Sequence, residues 1–134
     1  MYLIVCVDER GGCMFAKRRQ SQDRVLRARV LELVGDHTLW MSQYTAKQFT
    51  EGGRFTVDDE YLQKAGEDDY CFVEDKGWDI SKCKGIVLYN WNRHYPSDVK
   101  WDVDLAAAGF TLHAQCDFAG SSHEKITEQI YIKG

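Results

Sequence analysis

The chain has 134 residues, 44% of them hydrophobic, and a formal net charge of −4. That size suits one domain, residues 1–134, able to bury roughly two thirds of its unfolded surface. Its five cysteines, at 6, 13, 71, 83 and 116, are odd in number and form no C-x-x-C pair, which argues against a disulfide framework or clustered zinc site and for a reducing cytoplasm.

The run from Tyr2 to Val7 is apolar on both alternating faces, as in a central strand covered on both sides. It lacks a basic flank and gives way at once to Asp8-Glu9-Arg10, so it reads as neither a signal peptide nor a membrane span. After Gly11-Gly12, Val25, Leu26, Val30, Leu33 and Val34 fall near helical spacing. They predict a helix capped by Ser21 and stopped at Gly35, with its arginines turned outward. Leu39-Trp40-Met41 reads as a short strand, and Thr45-x-x-Gln48 as a capping box opening a brief helix through Phe49. Thr56 caps a second short helix around Tyr61 and Leu62, and Tyr70 to Val73 forms the next strand. Asp79 caps a single turn, and Ile86 to Trp91 is a further strand. Phe110, Leu112, Ala114 and Cys116 then alternate with polar residues, as do Ile126, Ile130 and Ile132 after Gly120-Ser121-Ser122. Period two on both sides of that turn predicts a closing antiparallel hairpin.

Charge is unevenly laid out. Lys17, Arg18, Arg19, Arg24, Arg27 and Arg29 crowd one segment, and acidic residues from Asp58 to Asp79 crowd another. Such poles can drive two-fold association into a homodimer or offer a basic patch to an anion. RNA or DNA is the weaker partner reading, given the acidic balance and the lack of an RNP-like or helix-turn-helix signature. The histidines, 37, 94, 113 and 123, stand at least ten residues apart, so no H-E-x-x-H is present and no metal is expected. Trp91-Asn92-Arg93-His94-Tyr95 suits either a stacked flat ring or the end of a strand. Ser121-Ser122-His123-Glu124 places nucleophile, base and carboxylate in a row. Adjacent strand residues point to opposite faces, so these are read as a turn.

The final section, a strand leading through Tyr95-Pro96-Ser97-Asp98 and an acidic loop into a hairpin, resembles the close of the dihydrofolate reductase fold. The front resembles it too, with a buried strand, a glycine-containing loop, a helix, then a strand entering a short helix. The resemblance implies a shortened, diverged α/β domain: a dihydrofolate reductase-like mixed sheet with short flanking helices and a C-terminal hairpin. Leu39-Trp40-Met41-Ser42-Gln43-Tyr44-Thr45 occupies the place of that family's apolar-Met-Gly-Arg-x-Thr segment. Only Met41 and Thr45 match, and Ser42 and Gln43 replace the Gly and Arg that meet cofactor phosphates in that family. Glu74-Asp75-Lys76-Gly77 stands where a glycine pair packs on the diphosphate, and each carboxylate there would repel it by roughly a kcal/mol. The family's pocket carboxylate, near the start of the first helix, corresponds to Asp23, whose pKa burial could raise for proton handling.

These residues set the functional expectations. The first is a non-catalytic or diverged protein that binds a small molecule or another protein without a cofactor. The alternative is an NADPH-dependent reductase with Asp23 catalytic, and with Lys17, Arg18, Arg19, Gln43 and Thr45 as ligand contacts. A third is an RNA-binding or processing protein. The runs Lys17-Arg18-Arg19-Gln20-Ser21, Leu39-Trp40-Met41 and Ser121-Ser122-His123-Glu124-Lys125 also resemble small bacterial proteins often labelled ribonuclease Z. That chemistry needs an H-x-H-x-D-H cluster holding two metals, which this sequence lacks.

Overall fold

The first apolar run forms β1 (Tyr2–Val7), which pairs in parallel with a strand at each edge and packs into an apolar layer on each face. Those neighbours are β6 (Tyr70–Phe72) and β7 (Gly85–Asn90), the latter buried over five of six residues. Beyond β6 lie β4 (Leu39–Met41) and β5 (Thr56–Val57), both parallel. On the far side, β10 (Ile126–Lys133) runs antiparallel to β7, and β9 (Phe110–Phe118) closes the sheet as its edge. The strand order is β5-β4-β6-β1-β7-β10-β9. A small second sheet joins β2 (Gly12–Phe15), β3 (Arg18–Arg19) and β8 (Val99–Lys100). This computed structural model describes residues 1–74 and 79–134. The expectation resting on Asp75, Lys76 and Gly77 lies outside them.

Two apolar layers cover the main sheet. Leu3, Val5, Cys71 and Ile86 face one, which includes Tyr61 from α3 (Tyr61–Lys64). Ile4, Phe72, Val87 and Tyr89 face the other, where α1 (Arg24–Val34) contributes Leu26, Val30 and Val34. Those three recur every fourth residue and so share one helix stripe. Each fully buried aliphatic side chain contributes about 1.5–3 kcal/mol by leaving water.

The helix starts differ from the sequence expectation. Asp23 caps α1, its Oδ1 accepting from the Val25 and Leu26 N–H groups at 2.9 and 3.2 Å. Ser21 is instead bonded to His123. Ser42 caps α2 (Gln43–Ala46) by accepting from the Thr45 N–H, so Thr45 stands inside the helix. Thr56 belongs to β5 and caps nothing. In each case several cap-type residues lie close together, and at α1 distant contacts to Ser121, Ser122 and His123 decide among them. Gly35 does terminate α1, at φ 57°, and Asp79 caps the 3₁₀ turn Ile80–Lys82.

The hairpin forms as expected, but β9 lies almost wholly in solvent, with Leu112 49% exposed. As an edge strand it has no layer to alternate against. The register against β10 slips by one residue at His113, a bulge that bends the edge.

Candidate functional site

Three segments converge at the start of α1. Asp23 is fully buried and its carboxylate is saturated. Besides the two helix N–H groups, Oδ1 accepts from the Ser121 N–H at 2.9 Å and the Ser121 hydroxyl at 3.2 Å. Oδ2 accepts from the Ser122 N–H at 2.8 Å and meets His123 Nδ1 at 2.9 Å. Gly120 is required here, because a Cβ on it would collide with the Asp23 carboxylate. Burial pushes the Asp23 pKa up, but bonds from His123, Ser122, Ser121 and Leu26 outweigh it and hold the group well below the usual carboxylate range. The raised pKa expected of a proton-handling carboxylate is therefore not found, since every donor around it favours the charged form.

An ionised Asp23 fixes the tautomer of the imidazole. Nδ1 carries a proton toward the carboxylate, and in the neutral ring Nε2 is the acceptor. Nε2 lies 2.9 Å from Ser21 Oγ and 3.2 Å from the Tyr95 hydroxyl. The ring stacks on Trp91 at 4.4 Å and its side chain is 2% exposed. Tyr95 is placed by buried Asp8, which accepts from the Tyr95 N–H while also holding Gly12, Arg10 and Gln20. The result is a hydrogen-bonded line, Ser21 to His123 to Asp23, assembled from residues about a hundred positions apart. Ser21 is half-buried.

Beside this line lies a cleft of about 440 Å³ between the start of α1, the segment after α2 and the loop around Ser121. It opens at the carboxyl ends of β4 and β6, the end at which ligands bind in open α/β sheets. Arg19, Arg24, Arg27 and Lys47 line it. Arg19 is clamped by Glu74, with bonds of 3.0 and 3.1 Å, and stacks over the Tyr44 ring at 4.3 Å. Arg27 makes a two-point pair with Glu51 at 2.9 and 2.8 Å. Arg24 and Lys47 are exposed, and neither pairs with a carboxylate among the described residues.

Of the residues singled out from the sequence, Asp23 and Arg19 line this cleft. Arg18 is exposed on β3, and Lys17 lies beside Met14 and Asp98 in a separate depression. Gln43 is exposed, with its N–H bonded to Asp59. Thr45 is fully buried against Ser42. The outward orientation expected of the α1 arginines holds for Arg24 but not for the other two. Arg27 is 7% exposed, and Arg29 reaches Glu128 at 2.8 and 3.0 Å, with the Tyr89 hydroxyl completing the cluster. Sequence reading gives Lys47 no role, takes Ser21 for a helix cap and Tyr95 for part of a stacking face or strand end, and reads His123 as part of a turn because adjacent strand residues point to opposite faces. The available signal was two polar turn clusters, Ser21-Gln22-Asp23 and Gly120-Ser121-Ser122-His123.

Among the described residues, no group of three or more His, Cys, Asp or Glu side chains could hold a metal ion, and no helix is long and apolar enough to cross a membrane. No family model matches the sequence, and no curated protein matches it. Among solved structures, the chain is similar to a dihydrofolate reductase from Enterococcus faecalis complexed with NADP(H) and RAB-propyl. The TM-score is 0.65 at 11% identity, and the match covers 99% of this chain and 95% of that one. From the opening buried strand to the closing hairpin, then, this chain has a diverged dihydrofolate reductase-like fold.

Proposed function

We propose that the protein is a binding protein on a reductase-like scaffold, and that it takes a small anionic molecule in the cleft beside the start of α1. The observation that carries this reading is the pairing of anchored and open cations. Arg19 and Arg27 are held rigid by Glu74 and Glu51, while Arg24 and Lys47 remain available. A pre-set cation attracts an anion at 4 Å by about 1 kcal/mol in water and about 4 kcal/mol at a partly shielded surface. Rigid placement lowers the ordering cost of binding.

The residues present fit nicotinamide-cofactor phosphates poorly. Ser42 and Gln43 bring no charge to the expected place, and Arg19 is already committed to Glu74. The basic helix also suits a small ligand better than RNA, because Arg27 and Arg29 are paired with carboxylates and leave no continuous basic face. The setting we propose is the cytoplasm, in keeping with an odd set of five cysteines.

The test is a thermal-shift and tryptophan-fluorescence titration with inorganic pyrophosphate, citrate and NADPH. A ligand at about a hundred times its Kd adds roughly 2.7 kcal/mol of stability. Pyrophosphate or citrate is expected to raise the melting temperature of the native protein, and Arg24→Ala with Lys47→Ala to abolish that rise. No response to either anion at millimolar concentration overturns the reading, and a response to NADPH alone returns the reductase alternative.

A further inference from the structure

We infer that Ser21 is an activated nucleophile, and that the line from Ser21 through His123 to Asp23 gives this protein an acyl-transfer activity on small carboxylic esters. Three observations carry it. First, the atoms are in register for general-base catalysis: Ser21 Oγ lies 2.9 Å from Nε2, and Nδ1 lies 2.9 Å from a buried carboxylate that fixes the tautomer. Second, the imidazole is immobilised, stacked on Trp91 and almost fully buried, while the serine it serves is partly open to solvent. Third, among the described residues the backbone N–H groups of Ser21 and Gln22 donate to no acceptor. The N–H of a nucleophile and that of the residue after it are groups suited to a developing oxyanion.

The step balances without a cofactor. Ser21 Oγ bonds to the ester carbonyl carbon as its proton passes to Nε2, and the carbonyl oxygen becomes an oxyanion facing the two N–H groups. The carbon–oxygen bond to the leaving alcohol then breaks, and the imidazolium returns its proton to that alcohol. A water molecule, deprotonated by Nε2, attacks the acyl-serine. Collapse releases the carboxylic acid and restores the Ser21 hydroxyl. Asp23 touches no reacting atom and is a positioning residue. Tyr95, 3.2 Å from Nε2, is a second partner for the imidazole during the proton transfers.

A fluorophosphonate probe tests this on the full chain, because its phosphorus accepts the serine oxygen and expels fluoride while the proton goes to Nε2. Intact mass spectrometry is expected to show one adduct per chain, and peptide mapping to place it on Ser21. Ser21→Ala should remove it, and His123→Gln should slow its formation at least about a hundredfold, the lower end of what a general base supplies. Asp23→Asn should shift the pH profile of labelling, which loss of a helix cap alone would leave in place. Circular dichroism confirms that each variant is folded. An unlabelled native protein after hours at millimolar probe overturns the inference, as does an adduct on Ser121 or Ser122 or one that persists in Ser21→Ala. Pyrophosphate titration of the same samples reads cleft binding separately, so failure of one reading is distinguishable from failure of the other.

Discussion

Two depressions lie at opposite ends of the main sheet, and they are built differently. The one at the amino ends of β1 and β7 is larger, about 640 Å³, with Met1 and Tyr2 in its walls and lysines on its rim. Its best-connected cation, Lys84, reaches exposed Glu67 and Asp68 at 3.1 and 3.0 Å. The carboxyl-end cleft is smaller, but two of its arginines, Arg19 and Arg27, are clamped as planar forks, and its floor is the saturated Asp23 carboxylate. Size alone would select the first. Preorganisation selects the second, since flexible exposed lysines lose on ordering much of what their charge gains.

The largest effect expected of breaking this contrast is at Asp23. Replacing it by alanine removes a helix cap and leaves His123 and the Ser121 and Ser122 N–H groups without their acceptor, at a cost of about 3 kcal/mol. Urea denaturation measures it. The same group sets an acid limb. Its folded pKa is depressed, so its contribution is complete above the unfolded value near 3.9 and declines as pH falls below that toward the folded value. Melting temperature against pH should fall there in the native protein and less steeply in Asp23→Ala.

Next in size is Glu74→Ala, which strands a half-buried Arg19 guanidinium and costs about 2 kcal/mol. Urea denaturation of Glu74→Ala beside the native protein measures it. Ser21→Ala removes one hydrogen bond, about 1 kcal/mol, yet should abolish fluorophosphonate labelling. Smallest is Lys84→Ala at the amino end, which should leave both the melting temperature and anion binding unchanged because its partners are exposed.

The sequence disclosed the sheet more readily than the site, and the reason is range. β1, β7 and the hairpin carry their periodicity within a few residues, so local pattern suffices. The caps were harder because Ser21 and Asp23 are near-equal candidates, and the loop around Ser121, about a hundred residues away, decides between them. Arg29 reads as an outward helix residue until Glu128 arrives across the hairpin. Arg19 was legible as a cation but not as one committed to Glu74. Lys47 carried no signal at all, since only the packing of the segment after α2 against α1 brings it to the cleft.

The most direct test of the central claim is a pyrophosphate titration followed by amide proton–nitrogen correlation spectra of the full chain. Binding at the carboxyl-end cleft predicts saturable shifts at Arg24, Lys47, Thr50 and Ser121, with Tyr2 and Lys84 unmoved. Shifts confined to Tyr2, Lys84 and their neighbours, or no saturable shift anywhere, would contradict it.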